Sequence, residues 1–307
     1  MSLDDKFLRY DKLRRGMDHE RYAWTMLEQR SALNWPVGKS LALWINVSVE
    51  HFPLNPDSAG FKAPGNMTMP YPDLRHYTLR DYGNRVGIFR ILEALERHKL
   101  EASFAINGEL AQRYPYLVRR LAERGEIIAH GWNMDCTHHS GVDPATEQHW
   151  IDATLDALAH YSNQPVRGWL GPARSQSFRT PELLAQAGIR WMADWVNDEL
   201  PYSFTTEHGP LVNLPLSLEL EDRFIIGDNL HSETEYGDQI IDAADFLMDE
   251  AQSTGHGRLL ALNLHPWVIG QPHRIGQLER IFAHLAARRQ ELYNTLPSEL
   301  AMWAKVE

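Results

Sequence analysis

Hydrophobic positions along this 307-residue chain change their period several times, and the changes mark its elements. Leu41–Val47 is a short apolar run of strand length. Val86–His98 places Ile88, Ile91, Leu92 and Leu95 at the spacing of a helix face. Ala102–Ile106 reads as a strand, and Tyr116–Arg124 as a helix opened by Pro115 and stopped by Gly125. Glu126–Ala129 is a strand. Asp143-Pro144 caps a helix that runs through Trp150, Ile151, Leu155 and Leu158. Val166–Leu170 and Ile189–Ala193 are strands either side of a helix that Thr180-Pro181 begins and Gly188 ends. Leu211–Leu216 and Arg223–Ile226 are further strand candidates. Asp238–Ala251 is a helix, Leu259–Leu264 a strand and Gln277–Arg289 a final helix. Strands alternating with helices predict a parallel sheet and, at this size, an α/β barrel.

Two stretches stand outside the alternation. Residues 4–33 are polar with scattered apolar positions, among them Leu8, Leu13, Met17, Tyr22, Met26 and Leu27. They read as a helix laid over the barrel or against another subunit. This divides the chain into an N-terminal helical extension, 1–34, and a barrel domain, 35–307. Residues 51–84 are polar and rich in proline, a loop long enough to be functional or disordered.

Composition narrows the class. Hydrophobic residues make up 43%, enough for a sizeable core. A net charge of -11 argues against nucleic acid or an anionic membrane as partner. Cys136 is the one cysteine, which excludes an intrachain disulfide and fits a reducing compartment. No stretch approaches the roughly 20 apolar residues of a membrane span, and the charged N-terminus lacks the apolar core of a signal peptide. The expected location is the cytoplasm.

The candidate chemistry lies just past the strands, where a barrel gathers its active site. Glu126–Ala129 leads into His130-Gly131-Trp132, and Leu259–Leu264 into His265-Pro266-Trp267. Two histidines so placed suit acid–base catalysis or metal ligation. Asp81-Tyr82-Gly83-Asn84-Arg85-Val86-Gly87 closes the long loop and enters a helix, whose free N–H groups suit a polar or anionic group. Arg85 offers a planar fork to a carbonyl or carboxylate; the alternative is a turn with solvated charges. Gly168–Arg174 runs from a strand into a loop bearing Arg174, and Asp194-Trp195 follows another strand end. His138 and His139 read as exposed loop residues, and Cys136 as a small packed residue rather than a nucleophile.

These clusters, in this order, resemble the polysaccharide deacetylase family. Within it they are most similar to the branch of cofactor-independent allantoinases and cyclic imide hydrolases. The resemblance rests on Asp81–Gly87, Ala129-His130-Gly131-Trp132, Asp198-Glu199-Leu200-Pro201-Tyr202 and Leu264–Pro272, and covers about residues 35–295. It implies a distorted (β/α) barrel and hydrolysis of a carbon–nitrogen bond. Metal-dependent members end their first strand in aspartates and carry H-x-x-x-H. Here the matching positions hold Asn46 and Ser48, with Glu50 the nearest acid, and Met134 stands four residues after His130.

The expected reaction is ring opening of a small cyclic imide or ureide, without a cofactor. Glu50 and His130 are the base and acid, in either order, and His265 positions water or protonates the leaving nitrogen. Arg85, Asn84 and Arg174 hold the substrate, with Asp194 beside them. Trp132 and Trp195 wall the pocket. One alternative is a deacetylase of N-acetylated sugars that holds zinc or a similar divalent metal on His130, His265 and one of Glu50, Asp135 or His138. Another is a binding protein that kept the barrel and lost catalysis. The N-terminal extension makes a homo-oligomer plausible.

Overall fold

The computed structural model describes residues 19–36, 38–56 and 72–304. Its strands are β1 (Leu41–Val49), β2 (Ala102–Ile106), β3 (Gly125–Ala129), β4 (Gly168–Trp169), β5 (Trp191–Met192), β6 (Tyr202–Phe204), β7 (Leu211–Asn213), β8 (Arg258–Leu264) and β9 (Leu292–Asn294). The helices are α1 (Leu74–Tyr82), α2 (Ile88–His98), α3 (Gly108–Arg113), α4 (Pro115–Ala122), α5 (Pro144–Ser162), α6 (Thr180–Gln186), α7 (Glu233–Thr254), α8 (Ile275–Ala287) and α9 (Pro297–Ala301).

The strands form one curved sheet in the order β6-β7-β5-β4-β3-β2-β1-β8. Every pairing along it is parallel except β6 with β7. No pairing joins β8 back to β6 among the described residues, so this is the distorted α/β barrel expected. β1 is its axis. It pairs with β8 along Leu41–Val47, with β9 at Leu41–Leu43 and with β2 from Asn46 onward. All nine of its residues are buried, which is why Leu41–Ile45 reads as a continuous apolar stretch rather than alternation.

The helices cover the sheet as their periodicity requires. α2 buries Ile88, Ile91, Ala94 and Leu95, the isoleucines and the leucine each contributing roughly 1.5–3 kcal/mol by leaving water. α5 starts at Pro144 with the Asp143 carboxylate accepting from the Thr146 amide at 3.0 Å.

Three expectations need correction. Part of the loop at 51–84 is helix α1, capped by Asp73, which accepts from the amides of Arg75 and His76. α1 has no apolar face, and buries His76 and Arg80 instead. Arg223–Ile226 is not a strand but a wide helical turn, Arg223–Asp228, with Ile225 and Ile226 buried. Of the helix expected over 4–33, residues 4–18 lie outside the described residues, and 19–33 hold only the short turn Leu27–Gln29. That segment runs as a strap held by aromatic and polar contacts. The Thr205 amide donates to the Arg21 carbonyl at 2.6 Å, and the Tyr22 ring lies 5.0 Å from that of Tyr202 and 5.9 Å from that of Trp195.

Candidate active site

Glu50 follows β1, His130 follows β3 and His265 follows β8, and the sheet order brings the three strand ends together. All three side chains are buried. A Glu50 Oε1 stands 3.7 Å from His130 Nε2 and 3.8 Å from His265 Nε2. One carboxylate thus faces two imidazoles.

The far side of each ring is fixed. His130 Nδ1 lies 2.6 Å from the Leu170 carbonyl, which can only accept, so Nδ1 carries a proton. In the neutral ring Nε2 is then the lone pair, and this buried atom has no hydrogen-bond partner. His265 Nδ1 lies 2.6 Å from Asp222 Oδ1, while Asp222 Oδ2 accepts from the His265 amide at 2.9 Å. Burial works against charge on His265, but Asp222 first and Glu50 next outweigh it and raise its pKa. Burial works likewise against charge on Glu50. His265 first, then His130 and Arg223, outweigh it and hold its carboxyl lowered to about 2. Glu50 is therefore ionised at neutral pH.

Neighbouring elements aim these groups. The Trp267 indole N–H donates to Glu50 Oε2 at 3.0 Å. The Arg80 guanidinium lies over the Trp267 ring at 4.4 Å and over the Phe52 ring at 4.8 Å. Asn107 accepts from the His51 amide at 2.7 Å and donates to the His130 carbonyl, tying the exits of β1 and β3. Glycines make the other seam. A Cβ at Gly83 would stand 2.6 Å from the Trp267 amide nitrogen, and one at Gly87 or Gly270 would overlap the Pro266 carbonyl. The glycines of the 81–87 and 265–270 motifs thus let helix backbone meet loop backbone and seat Trp267 on Glu50.

Beneath the site runs a buried polar floor. Trp44 donates to Ser103 at 2.8 Å, and Ser103 to Asn46 at 3.0 Å. Asn46 and Ser48 donate to the Asn263 carbonyl oxygen at 2.8 and 2.9 Å, and the Asn263 amide donates to Glu221 at 2.7 Å. Glu221 closes the chain in an ion pair with Arg174.

Residues 76–192 match the sequence model of the family described as polysaccharide deacetylase. That match supports the polysaccharide deacetylase family. A Schizosaccharomyces pombe protein assigned as a polysaccharide deacetylase is 25% identical over 244 residues, which is 72% of this chain and 75% of the relative. The crystal structure of PuuE allantoinase superposes with a TM-score of 0.79 at 23% identity, over 89% of this chain and 93% of that one. A structure assigned as a polysaccharide deacetylase from Pseudomonas aeruginosa PAO1 gives 0.79 at 22%, over 89% and 94%. At these identities the likeness is one of fold, the (β/α) barrel of polysaccharide deacetylase type.

Within this deacetylase-type barrel the other nominated residues separate. Asp194 is buried at the exit of β5. It accepts from the Gly171 amide and from Gln176, both at 2.6 Å, and burial raises its pKa. Trp195 donates to the Gln176 side chain at 2.9 Å and packs edge-on against Phe204 and His19. Arg174 is committed to Glu221 and the Leu216 carbonyl. Asn84 donates to the Glu50 carbonyl at 2.8 Å, so the contact it makes positions the catalytic candidate. The Arg85 side chain is 77% exposed beside Asp81, an i,i+4 surface pair outside the Glu50 cluster. The motif that seemed to offer a helix N-terminus continues α1 into α2, so it has no free N–H groups to give. The Trp132 ring packs on Gly108 at the start of α3, beside Thr154 of α5.

His138 is not the exposed loop residue expected. It is fully buried, 3.3 Å from Glu147, itself held by Ser177, Thr180 and Arg179. His139 is exposed and Cys136 half-buried.

The zinc alternative meets the chemistry of the donor set. His138 faces Glu147 rather than His130. Asn46 and Ser48, at the positions where a metal-dependent member would carry carboxylates, are amide and hydroxyl bonded to Asn263. Among the described residues no group of three or more His, Cys, Asp and Glu side chains is arranged to hold a metal ion. These donors do not fit the family's metal pattern.

Four groups escaped the sequence reading. Asp222 backs His265 from 43 residues upstream and belongs to no quoted motif. Glu221 precedes it and Arg223 follows it, the latter at the start of what looked like a strand. The Leu170 carbonyl carries no side-chain signal at all.

Proposed function

We propose that this chain is a hydrolase that opens the ring of a small cyclic imide or ureide by attack of water, without a resident metal. One observation carries the reading: the Glu50 carboxylate is set between two imidazole Nε2 atoms, one ring fixed by the Leu170 carbonyl and the other by Asp222. The two rings are thereby biased to opposite roles. His130 presents a lone pair and takes a proton from water. The water oxygen bonds to the ring carbonyl carbon. His265, whose charged form Asp222 favours, gives its Nε2 proton to the leaving nitrogen as the carbon–nitrogen bond breaks. Glu50, ionised, accepts the second water proton as a hydrogen bond and stabilises both imidazolium forms. It cannot act as the acid at neutral pH. An imide nitrogen leaves more readily than a simple amide nitrogen, so less electrophilic help is needed.

The fold likeness to a structure named as an allantoinase supports this reading. So do the amide and hydroxyl at the carboxylate positions of β1. A second reading, a metal-dependent deacetylase of N-acetylated sugars, has one observation in its favour: an imidazole backed by a carboxylate is also how proteins orient a metal-ligating histidine.

Turnover of a panel of cyclic imides, ureides and N-acetylated sugars by metal-stripped and zinc-restored protein separates the readings. Full ring opening after stripping is the expected result. Activity that returns only with zinc, or only on acetyl sugars, overturns it. No turnover on any of them leaves the binding-protein alternative standing.

A further inference from the structure

Ring opening needs a hydrogen-bond donor for the oxygen of the scissile carbonyl, and the two arginines the sequence offers are engaged or exposed elsewhere. Arg85 stands at the surface beside Asp81, and Arg174 is spent on Glu221 and the Leu216 carbonyl. His265 is tied to Asp222. Arg223 is different. It follows Asp222 directly, so its backbone is fixed by the residue that orients His265. Its guanidinium reaches only to 3.8 Å from Glu221, too long for a hydrogen bond. Its Nε, like that of Arg174, is buried with no hydrogen-bond partner, but its side chain is 37% exposed against 11% for Arg174. Part of the side chain is thus enclosed within electrostatic reach of Glu50, and part is open to solvent.

We infer that Arg223 is the substrate anchor: its guanidinium binds the carbonyl oxygen that becomes negative during ring opening, and then the carboxylate that ring opening creates. The inference rests on the ring-opening reading and sharpens it. Hydrolysis of a cyclic imide or ureide converts a neutral ring into a monocarboxylate with an amide or ureido tail. A forked cation beside Glu50 suits both ends of that change, because a guanidinium accommodates a carboxylate in two parallel hydrogen bonds. Hydrolysis of an acetamide would instead release acetate and leave the amine, with no carboxylate on the retained molecule.

The test uses the full-length chain, with Arg223→Gln, Arg223→Lys and, as a control outside the site, Arg85→Gln. Two readouts are taken on each: ring opening of succinimide and allantoin, and binding of succinamate and allantoate, their ring-opened products, by calorimetry. The expected result is that Arg223→Gln weakens product binding by about 10- to 100-fold and raises KM more than it lowers kcat. Arg223→Lys should recover part of the binding, and Arg85→Gln should behave as the parent. Thermal melting identifies a variant that has merely lost its fold; Arg223→Lys then carries the comparison. Binding by Arg223→Gln equal to the parent's overturns the inference, as does a parent that binds neither product. Failure of the parent to open either ring overturns the ring-opening reading instead, and the binding arm still decides Arg223.

Discussion

Asp222→Asn isolates the group that sets the proton on His265. The carboxylate is fully buried and accepts three times, from Nδ1 at 2.6 Å, from the Arg223 amide at 2.7 Å and from the His265 amide at 2.9 Å. Asparagine keeps one acceptor oxygen. At least one of the three donors must then face an NH₂ group, and the negative charge is gone. A hydrogen bond to a charged group contributes about 1.5–3 kcal/mol, which is about 10- to 150-fold in rate if it is realised in the transition state. If the amide turns its NH₂ toward Nδ1, the ring adopts the wrong tautomer and the loss can approach about 10⁴-fold. The pH profile adds a sign. Asp222 raises the His265 pKa above its ordinary 6.5, so the protonated acid persists to higher pH in the parent than in the variant. The alkaline limb of kcat should move to lower pH in Asp222→Asn. In stability, the raised pKa contributes fully below about pH 6.5 and fades as pH rises through the folded value. The variant's deficit should therefore be larger in mild acid than in mild base. The assay is ring opening of the best cyclic substrate from pH 5 to 9, with urea melts at both ends. A kcat within threefold of the parent and an unmoved alkaline limb would refute the role given to His265.

Other perturbations probe separate links. Glu50→Gln removes the ionised carboxylate between the two rings and should lower kcat by about 10²-fold or more while the thermal midpoint holds; a loss under tenfold takes Glu50 out of the chemistry. Glu147→Ala strips His138, Ser177, Thr180 and Arg179 of a shared buried partner and should cost about 3–5 kcal/mol in urea unfolding at pH 7. Burial opposes charge on Glu147, yet His138, Thr180 and Ser177 lower its pKa from 4.5 to about 2. Its contribution is then present above about pH 4.5 and lost as pH falls toward 2, so parent and variant should converge in strong acid. Gly87→Ala sets a methyl group against the Pro266 carbonyl and should cost about 1–3 kcal/mol, with kcat falling as Trp267 shifts from Glu50. Gly276→Ala, in open space on α8, should be neutral or stabilising by differential scanning calorimetry.

Much of the fold is legible in the sequence because its driving term is. β1, β2 and β8 are apolar runs, and α2 and α5 carry clear faces and caps. What escapes is whatever is held by something other than an apolar stripe. β6, β7 and β9 are three residues each, too short to show a period. α1 buries an arginine against Trp267, which no hydrophobic template detects. The pair Ile225 and Ile226 is buried in either a strand or a tight helical turn, and sequence does not choose. The site divides the same way. His130 and His265 stand out because each directly follows a strand, and Glu50 as the acid nearest the end of the first strand. Asp222 does not, because its contact with His265 spans 43 residues, and Arg223 beside it belongs to no motif. Arg85 misled through its motif: the glycines around it serve backbone packing, and the arginine between them points to the surface.

The N-terminal strap covers the edge of the sheet next to β6. β6 ends the sheet, and a terminal strand offers unpaired amides and carbonyls to any other chain. The backbone of Arg21 already occupies Thr205 at that end, Arg21 pairs with Glu182, and Tyr22 covers Tyr202 and Phe204. The strap is thus a guard on a sticky rim. Deleting the chain through residue 30 removes it, and the expected product is strand-to-strand self-association, read as an increase in solution mass rather than the dissociation of an existing assembly.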